Sequence, residues 1–276
     1  MLVNSNELFM KARKGNYAIP ATNYIDLDSA RSYVKVAEQK RLPLILAFAQ
    51  SHKDIISLEE AALIGKYLGQ KASVPIVLHL DHGEDYDFIE RAIRLGFTSV
   101  MIDASQKEFD DNIQISKEVV ELAHKFDISV EAELGHVGSN QISFEQGKPD
   151  SIYTETESVI EFVNKTNVDS LAISIGTAHG LYKGTPKINF ERLHEIRQLT
   201  DVPLVLHGGS SSGDLNLERC ATEGISKINI YTDFLMGAQH EIENVGYKNY
   251  IELKKLANIG MEKVLEHYYK VFHTKL

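Results

Sequence analysis

The chain has 276 residues, of which 43% are hydrophobic and 25% charged, with a formal net charge of −10 at pH 7. This composition is typical of a soluble globular protein. The acidic excess argues against a general nucleic-acid or anionic-membrane binder, because such partners are held mainly by clustered Lys and Arg. The sequence contains no apolar window of about twenty residues, so we expect no membrane span, and its polar start leads us to expect no signal peptide. The single cysteine, Cys220, is consistent with a reducing cytoplasm.

Short apolar runs rich in β-branched residues recur along the chain and predict eight strands. In chain order they cover residues 17–20, 44–49, 75–80, 99–102, 129–133, 171–175, 203–207 and 227–230. Segments with helical periodicity lie between them, for example residues 58–68, 87–95, 111–126, 157–164 and 190–199. Continuously apolar strands indicate a parallel sheet covered on both faces, and eight strand-helix units favour a closed (β/α)8 TIM barrel.

We expect this barrel to be a single domain over residues 1–276, because no linker divides the sequence. A long connection, residues 134–155, follows the fifth predicted strand, and a helical extension covers about residues 234–276. Connections of that length without regular structure are usually functional lids or disordered segments. Gly96 and Gly224 each precede a strand and are predicted to end helices.

Three histidines lie at or just after the ends of different predicted strands: His82 after the third, His179 after the sixth and His207 at the end of the seventh. Catalytic side chains of such barrels lie at the carboxyl ends of the strands, so these rings are expected at one rim. Three imidazoles with a vacant fourth position form a usual catalytic zinc site. His79 is expected to fill the barrel interior instead, and His136 is interpreted as structural.

Carboxylates occur at the same strand ends. Asp81 precedes His82 with the opposite side-chain parity, which suits a general acid or base better than a metal ligand. Asp103 and Glu133 are candidates for orienting the ligands or for holding a second metal, and a purely structural role is equally open for both.

Flexible backbone and small polar residues follow the last three predicted strands. Loops after the seventh and eighth strands of such barrels commonly bind phosphate through exposed N–H groups. The predicted phosphate-binding residues are Gly180, Lys183, Gly208, Gly209, Ser210, Asn229, Ile230, Tyr231 and Thr232.

Together, these groups predict metal-assisted aldol cleavage of a phosphorylated ketose. The metal would polarise the substrate carbonyl and stabilise the enediolate, while Asp81 moves the proton of the C4 hydroxyl. A Schiff-base route would need a desolvated lysine, for which Lys227 is the candidate. A metal-dependent hydrolase and a non-catalytic sugar-phosphate-binding barrel are the alternatives.

Five segments, residues 78–83, 130–135, 176–180, 206–210 and 229–233, resemble the class II, zinc-dependent ketose-bisphosphate aldolases. That family includes fructose- and tagatose-bisphosphate aldolases. The resemblance implies reversible cleavage of such a bisphosphate to dihydroxyacetone phosphate and an aldehyde such as glyceraldehyde 3-phosphate. It also implies zinc at His82, His179 and His207, with Asp81 as acid and base.

The resemblance further implies that Asp103 and Glu133 lie near the metal, where a second divalent or monovalent cation is sometimes held. Asn23 matches a substrate-side asparagine, and the residues predicted above for phosphate would bind the dihydroxyacetone phosphate half. Members are cytoplasmic homodimers or homotetramers.

Three positions depart from the family pattern. Gln141 stands where the mobile loop usually carries a Glu, although Glu145 is an alternative if the loop is shifted. The usual Gly-Ser-Gly after the seventh strand is replaced by Gly-Ser-Ser-Ser-Gly at residues 209–213. No Arg follows Arg219 to bind a distal phosphate. A ketose 1-phosphate or a deoxy-gluconate phosphate therefore remains an alternative substrate.

Overall fold

The computed structural model describes residues 1–139, 153–182 and 184–276, and it contains a closed barrel of eight parallel strands. Around the barrel the order is β1-β10-β9-β7-β5-β4-β3-β2, and β6 and β8 form a separate two-stranded sheet. This confirms the predicted (β/α)8 TIM barrel. The strands are β1 (Ile19–Asn23), β2 (Leu44–Ala49), β3 (Ile76–Gly83), β4 (Ser99–Ile102), β5 (Ser129–Leu134), β6 (Gly138–Ser139), β7 (Ser170–Ile173), β8 (Ala178–His179), β9 (Leu204–Leu206) and β10 (Ile225–Ile230).

Ten α-helices and two short 3-10 helices occur in the described part of the chain. The α-helices are α1 (Asn6–Gly15), α2 (Leu27–Lys40), α3 (Leu58–Lys71), α4 (Tyr86–Leu95), α5 (Phe109–Ala123), α6 (Thr156–Thr166), α7 (Phe190–Leu199), α8 (Asp214–Glu223), α9 (Thr232–Val245) and α10 (Tyr250–Val271). Among these described helices, none is both long and apolar enough to span a lipid bilayer.

Apolar side chains on both faces explain why the barrel strands read as continuous hydrophobic runs. In β2, Leu44, Leu46 and Phe48 join the cluster that packs under the surrounding helices, whereas Ile45 joins a separate cluster. Alternate residues of a strand point to opposite faces, so one face meets the helices and the other fills the barrel.

Helix α1, which was not among the predicted helices, covers the amino-terminal end of the barrel. Its Leu8, Phe9 and Ala12 are buried against side chains near the starts of the strands, such as Ile19 and Val77. The opposite, carboxyl-terminal rim is the end where the predicted site residues lie.

Helix ends follow the local signals in the sequence. Ser57 and Glu60 form a capping box at the start of α3. Gly96 ends α4 with a φ of 95°, and Gly224 is the residue at which α8 ends, as predicted. Helix α9 begins immediately after the eighth barrel strand, and α10 is an added helix that packs against α2 and α9.

Several predicted boundaries were wrong by a few residues. The first strand is Ile19–Asn23 rather than residues 17–20, because Tyr17 follows the left-handed Asn16 that ends α1. The seventh barrel strand ends at Leu206, so His207 lies just beyond it. Of the long connection, Gly138–Ser139 pairs with Ala178–His179, while residues 140–152 lie outside the described part of the chain.

Candidate active site

Three imidazole rings meet at the carboxyl-terminal rim. The ring centroid of His82 lies 5.0 Å from that of His179 and 4.5 Å from that of His207, and the last two are 6.0 Å apart. One ring nitrogen from each lies within 4.8 Å of the others, a spacing that allows one metal ion to bind all three. The structure thus brings together the three predicted ligands.

His82 reaches this position because the end of β3 is irregular. Regular alternation would direct Asp81 and His82 to opposite faces of the strand. Instead, His82 has a φ of 46°, and the pairing of β3 with β4 shifts between Leu80 and Gly83. Gly83 permits the close approach, since a Cβ there would lie 2.5 Å from the carbonyl oxygen of Met101. Both side chains therefore serve one site.

Carboxylates determine which nitrogens of two rings remain for a metal. Nδ1 of His82 donates to Asp103 at 2.9 Å, and Nε2 of His207 donates to Glu131 at 2.9 Å. The other two nitrogens, His82 Nε2 and His207 Nδ1, are buried and have no hydrogen-bond partner among the described residues. Metal-binding histidines typically donate their second N–H to a carboxylate in this way.

The site favours positive charge. Burial lowers the pKa of His82, but Asp81, Asp103 and Glu133 raise it well above its ordinary value. Burial raises the pKa of Asp103, yet its hydrogen bonds from His82 and Ser105 hold it below the usual range. A divalent cation satisfies the same cluster of carboxylates.

Glu133 lies close to both His207 and the backbone that follows β5. Its Oε1 accepts from the backbone N–H of Val137 at 2.9 Å, and its Oε2 lies 3.4 Å from His207 Nδ1. Burial and the neighbouring Asp103 raise its pKa well above the ordinary value. Together with His82 and Asp103, it forms a second group with metal-ligand spacing.

Asp81 is completely buried and held by two asparagines. Asn23 donates to Oδ2 at 3.0 Å, and Asn229 donates to Oδ1 at 2.9 Å. Burial raises the pKa of Asp81, but the positive charges of His82 and Lys227 outweigh it and hold the pKa well below the usual value. The carboxylate is therefore ionised and oriented at neutral pH, as proton abstraction requires.

A pocket opens beside these groups, and its lining residues are His179, Gly180, Gly208, Ser210, Asn229, Tyr231 and Thr232. Ser210 Oγ accepts from the backbone N–H of Tyr231 at 3.0 Å and of Asp233 at 3.4 Å, at the start of α9. Gly208 has a φ of 64°, and a Cβ there would lie 2.6 Å from backbone atoms of Ala178. The pocket combines a helix amino terminus with glycine backbone, which suits an anion.

Comparison with known proteins identifies the family. The sequence profile described as "Fructose-bisphosphate aldolase class-II" matches residues 3–275. The chain belongs to this family. A curated relative, the D-tagatose-1,6-bisphosphate aldolase subunit GatY of Klebsiella oxytoca, is 40% identical over 232 residues, which are 84% of this chain and 82% of that protein.

Solved aldolase structures have a similar fold. The YdjI aldolase of Escherichia coli K12 is 30% identical with a TM-score of 0.88, covering 99% of this chain and 98% of that chain. The fructose-bisphosphate aldolase of Campylobacter jejuni, at 21% identity and a TM-score of 0.81, covers 99% and 95% respectively and shows the shared fold. The predicted resemblance, aldolase activity and barrel are therefore confirmed.

Not every predicted substrate residue of this class-II aldolase lines the pocket. Gly209 donates its N–H to the carbonyl oxygen of Asn229 at 3.1 Å and packs against Ile230, so both lie behind the pocket wall. Lys183, Gln141 and Glu145 lie outside the described residues.

Sequence reasoning missed Glu131, and it named Lys227 only as the candidate for an alternative Schiff-base route. Lys227 is fully buried beneath the rim, where Nζ donates to both carboxylate oxygens of Glu131, at 2.9 and 2.8 Å, and to His79 Nε2 at 3.1 Å. Lys227 is thus an ion-pair partner of Glu131 in the barrel interior. His79 lies in the same interior, as was expected. The available signal was Glu131 itself, a carboxylate in an apolar strand with the side-chain parity of Glu133.

Proposed function

We propose that this aldolase reversibly cleaves D-tagatose 1,6-bisphosphate or fructose 1,6-bisphosphate. The products are dihydroxyacetone phosphate and glyceraldehyde 3-phosphate. Family membership supports aldol cleavage of a ketose bisphosphate. The 40% identity to a D-tagatose-1,6-bisphosphate aldolase subunit favours tagatose as the first substrate to test.

The observation that carries the zinc proposal is a pair of buried ring nitrogens, His82 Nε2 and His207 Nδ1, beside His179, which have no hydrogen-bond partner in the described part of the chain. A nitrogen-only set of three ligands is typical of catalytic zinc. When bound, zinc supplies a Lewis acid that polarises the substrate carbonyl. Asp103 and Glu133 are proposed to orient this site and to offer a second cation position.

Asp81 is proposed to accept the proton of the C4 hydroxyl during cleavage and to return it during synthesis. The amide groups of Asn23 and Asn229 occupy one hydrogen-bond direction of each carboxylate oxygen. This leaves acceptor capacity for the substrate hydroxyl and fixes the plane of the carboxylate. The proton therefore has one defined acceptor.

The pocket around Gly208, Ser210 and Thr232 is proposed to bind the phosphate of the dihydroxyacetone half. The N–H of Thr232, at the start of α9, and the loop backbone would donate to it, so the net charge of −10 is no obstacle. Gly180, Asn229 and Tyr231 complete this proposed subsite. Gly209 and Ile230 would support it from behind, and Lys183 is proposed to add charge.

The distal phosphate lacks an assigned counter-charge, because no Arg follows Arg219. A ketose 1-phosphate and a deoxy-gluconate phosphate therefore belong in the substrate panel. We further propose a cytoplasmic homodimer or homotetramer, which light scattering of the purified protein would test.

The decisive experiment is a cleavage assay on fructose and tagatose 1,6-bisphosphates, their 1-phosphates and deoxy-gluconate phosphates, before and after exhaustive chelation. We expect triose phosphate release that chelation abolishes and zinc restores. Activity that survives chelation in protein free of metal would overturn the zinc assignment. Release of inorganic phosphate without triose would indicate a hydrolase, and binding without cleavage of any panel member would indicate a sugar-phosphate-binding barrel.

A further inference from the structure

A charged hydrogen-bond chain lies in the barrel interior beneath the metal cluster. It comprises Glu131 on β5, Lys227 on β10 and His79 on β3, all at most 1% exposed. Removing a carboxylate and an ammonium group from water costs several kcal/mol per ion. A protein with well-packed apolar residues in their place is often as stable. Stability alone is therefore a weak explanation for the pair.

Glu131 connects this chain to a candidate metal ligand. Its Oε1 accepts from Lys227 Nζ at 2.9 Å and also from His207 Nε2 at 2.9 Å. Because a carboxylate at this position accepts only, the proton of the His207 ring stays on Nε2. The lone pair is then on Nδ1, the nitrogen near Glu133 in the metal cluster.

Lys227 fixes Glu131 in turn. Its three donors are directed to Oε1 and Oε2 of Glu131 and to Nε2 of His79. Because an ammonium group only donates, His79 accepts at Nε2, and its Nδ1 N–H then donates to Ser99 Oγ at 2.9 Å. Each member of the chain is therefore held by the next, from Ser99 to His207.

We propose that Glu131 is a positioning residue that orients the His207 ring and fixes its tautomer, so that Nδ1 is presented to the metal, and that Lys227 compensates the buried charge of Glu131. The inference rests on the proposed function, since it takes His207 as a zinc ligand. Lys227 thereby serves the metal site from below rather than forming a Schiff base with the substrate.

Two double variants separate positioning from charge. Both E131L/K227M and E131Q/K227M remove the buried ion pair, but only the glutamine variant retains an oxygen that can accept from His207 Nε2. The amide group of the introduced glutamine can turn toward His79 Nε2, which lies 3.9 Å from Glu131 Oε2 in the original protein. The pair of variants is therefore matched in charge and differs in the hydrogen bond to His207.

The measurement is zinc affinity by chelator competition on the whole protein, with the cobalt absorption spectrum as a report of ligand geometry and circular dichroism as a check of folding. We expect E131L/K227M to bind zinc about 10- to 100-fold more weakly than the original protein. E131Q/K227M is expected to recover most of this loss and to retain the cobalt spectrum.

Two results would overturn the inference: E131L/K227M binding zinc as tightly as the original protein, or both double variants losing affinity equally. If E131L/K227M does not fold, E131M/K227M tests the same step, because a flexible thioether fills the space without accepting strongly. Failure of the unaltered protein to bind zinc at all would instead contradict the proposed function.

Discussion

Asp103 accepts a hydrogen bond from Nδ1 of His82 at 2.9 Å, and this pairing leaves Nε2 as the nitrogen available to a metal. Asp103 is itself fixed by Ser105, whose backbone N–H and hydroxyl donate to Oδ1 at 3.1 and 2.7 Å. A rigid carboxylate thus orients a ring that already has a left-handed backbone conformation.

Removing this support should weaken the metal site. We expect Asp103→Ala to lower zinc affinity about 10- to 100-fold, because the His82 ring loses the partner that fixes its orientation and tautomer. Chelator competition measures the effect. Asp110→Ala, at an exposed position on α5, is the control and should bind zinc normally. An unchanged affinity in Asp103→Ala would contradict this role.

Replacing the proposed acid and base should separate metal binding from chemistry. Asp81→Ala is expected to retain zinc but to cleave the ketose bisphosphate about 100- to 10,000-fold more slowly, which is the usual contribution of a positioned acid or base. Asp81→Asn, which preserves the size of the side chain, should be similarly impaired. Metal analysis alongside the turnover rate makes the comparison, and full activity in either variant would remove Asp81 from the mechanism.

The carboxyl-terminal helix is expected to support the phosphate pocket through one hydroxyl group. Tyr268 on α10 donates to Asp233, which also accepts from the N–H and Oγ of Ser211, each at 2.9 Å. Ser211 follows Ser210 and has a φ of 59°. We expect Tyr268→Phe to raise the KM about five- to tenfold with a smaller change in kcat, since losing a hydrogen bond to a charged group costs about 1.5 kcal/mol.

The same helix offers a matched control for that variant. Tyr269 is also buried, and its hydroxyl donates to the carbonyl oxygen of Pro43 at 3.1 Å, away from the pocket. Tyr269→Phe removes an equivalent hydroxyl and should leave the KM unchanged. Equal effects of the two variants would show that α10 acts only through general stability.

Acid should destabilise the metal-free protein through His79 and Glu131. Burial and the charge of Lys227 lower the pKa of His79 from 6.5 to about 3. Burial raises the pKa of Glu131, but Lys227 and His207 lower it from 4.5 to about 2. Below its ordinary pKa, each group takes up a proton in the unfolded chain but not in the folded protein. The contributions of both groups to the free energy of unfolding are therefore complete above pH 6.5 and decline as the pH falls.

For His79, the expected slope is up to about 1.4 kcal/mol of unfolding free energy per pH unit below pH 6.5. Urea unfolding followed by circular dichroism in the presence of chelator measures it. His79→Gln keeps an acceptor for Lys227 without a titrating ring, so its curve should be flatter between pH 6.5 and 4.5. His240→Gln, at an exposed position on α9 where the ring contacts the uncharged amide of Asn244, should follow the original curve, and identical curves for all three proteins would refute the prediction.

Much of the site was predictable because strand ends in a parallel barrel share one rim. Once the apolar runs define the strands, His82, His179 and His207 must follow their carboxyl ends, and the structure places their rings together. Asn229 was predicted as a substrate residue, but its hydrogen bond to Asp81 at 2.9 Å was not predicted. Strand periodicity does not relate two residues that are so far apart in the sequence. A local sequence pattern places a residue on one face and near one end of a strand, but it does not identify the hydrogen-bond partner of that residue.

The sequence by itself determined the eight-stranded barrel, the rim that bears the site and the residue types available there, because hydrophobic periodicity and strand direction are local properties. Only the tertiary structure decided that Glu131 and Lys227 meet across the interior, since β5 and β10 are not neighbours in the barrel. It also decided that His82 joins Asp81 in one site, because the irregular end of β3 breaks the alternation that a regular strand would impose.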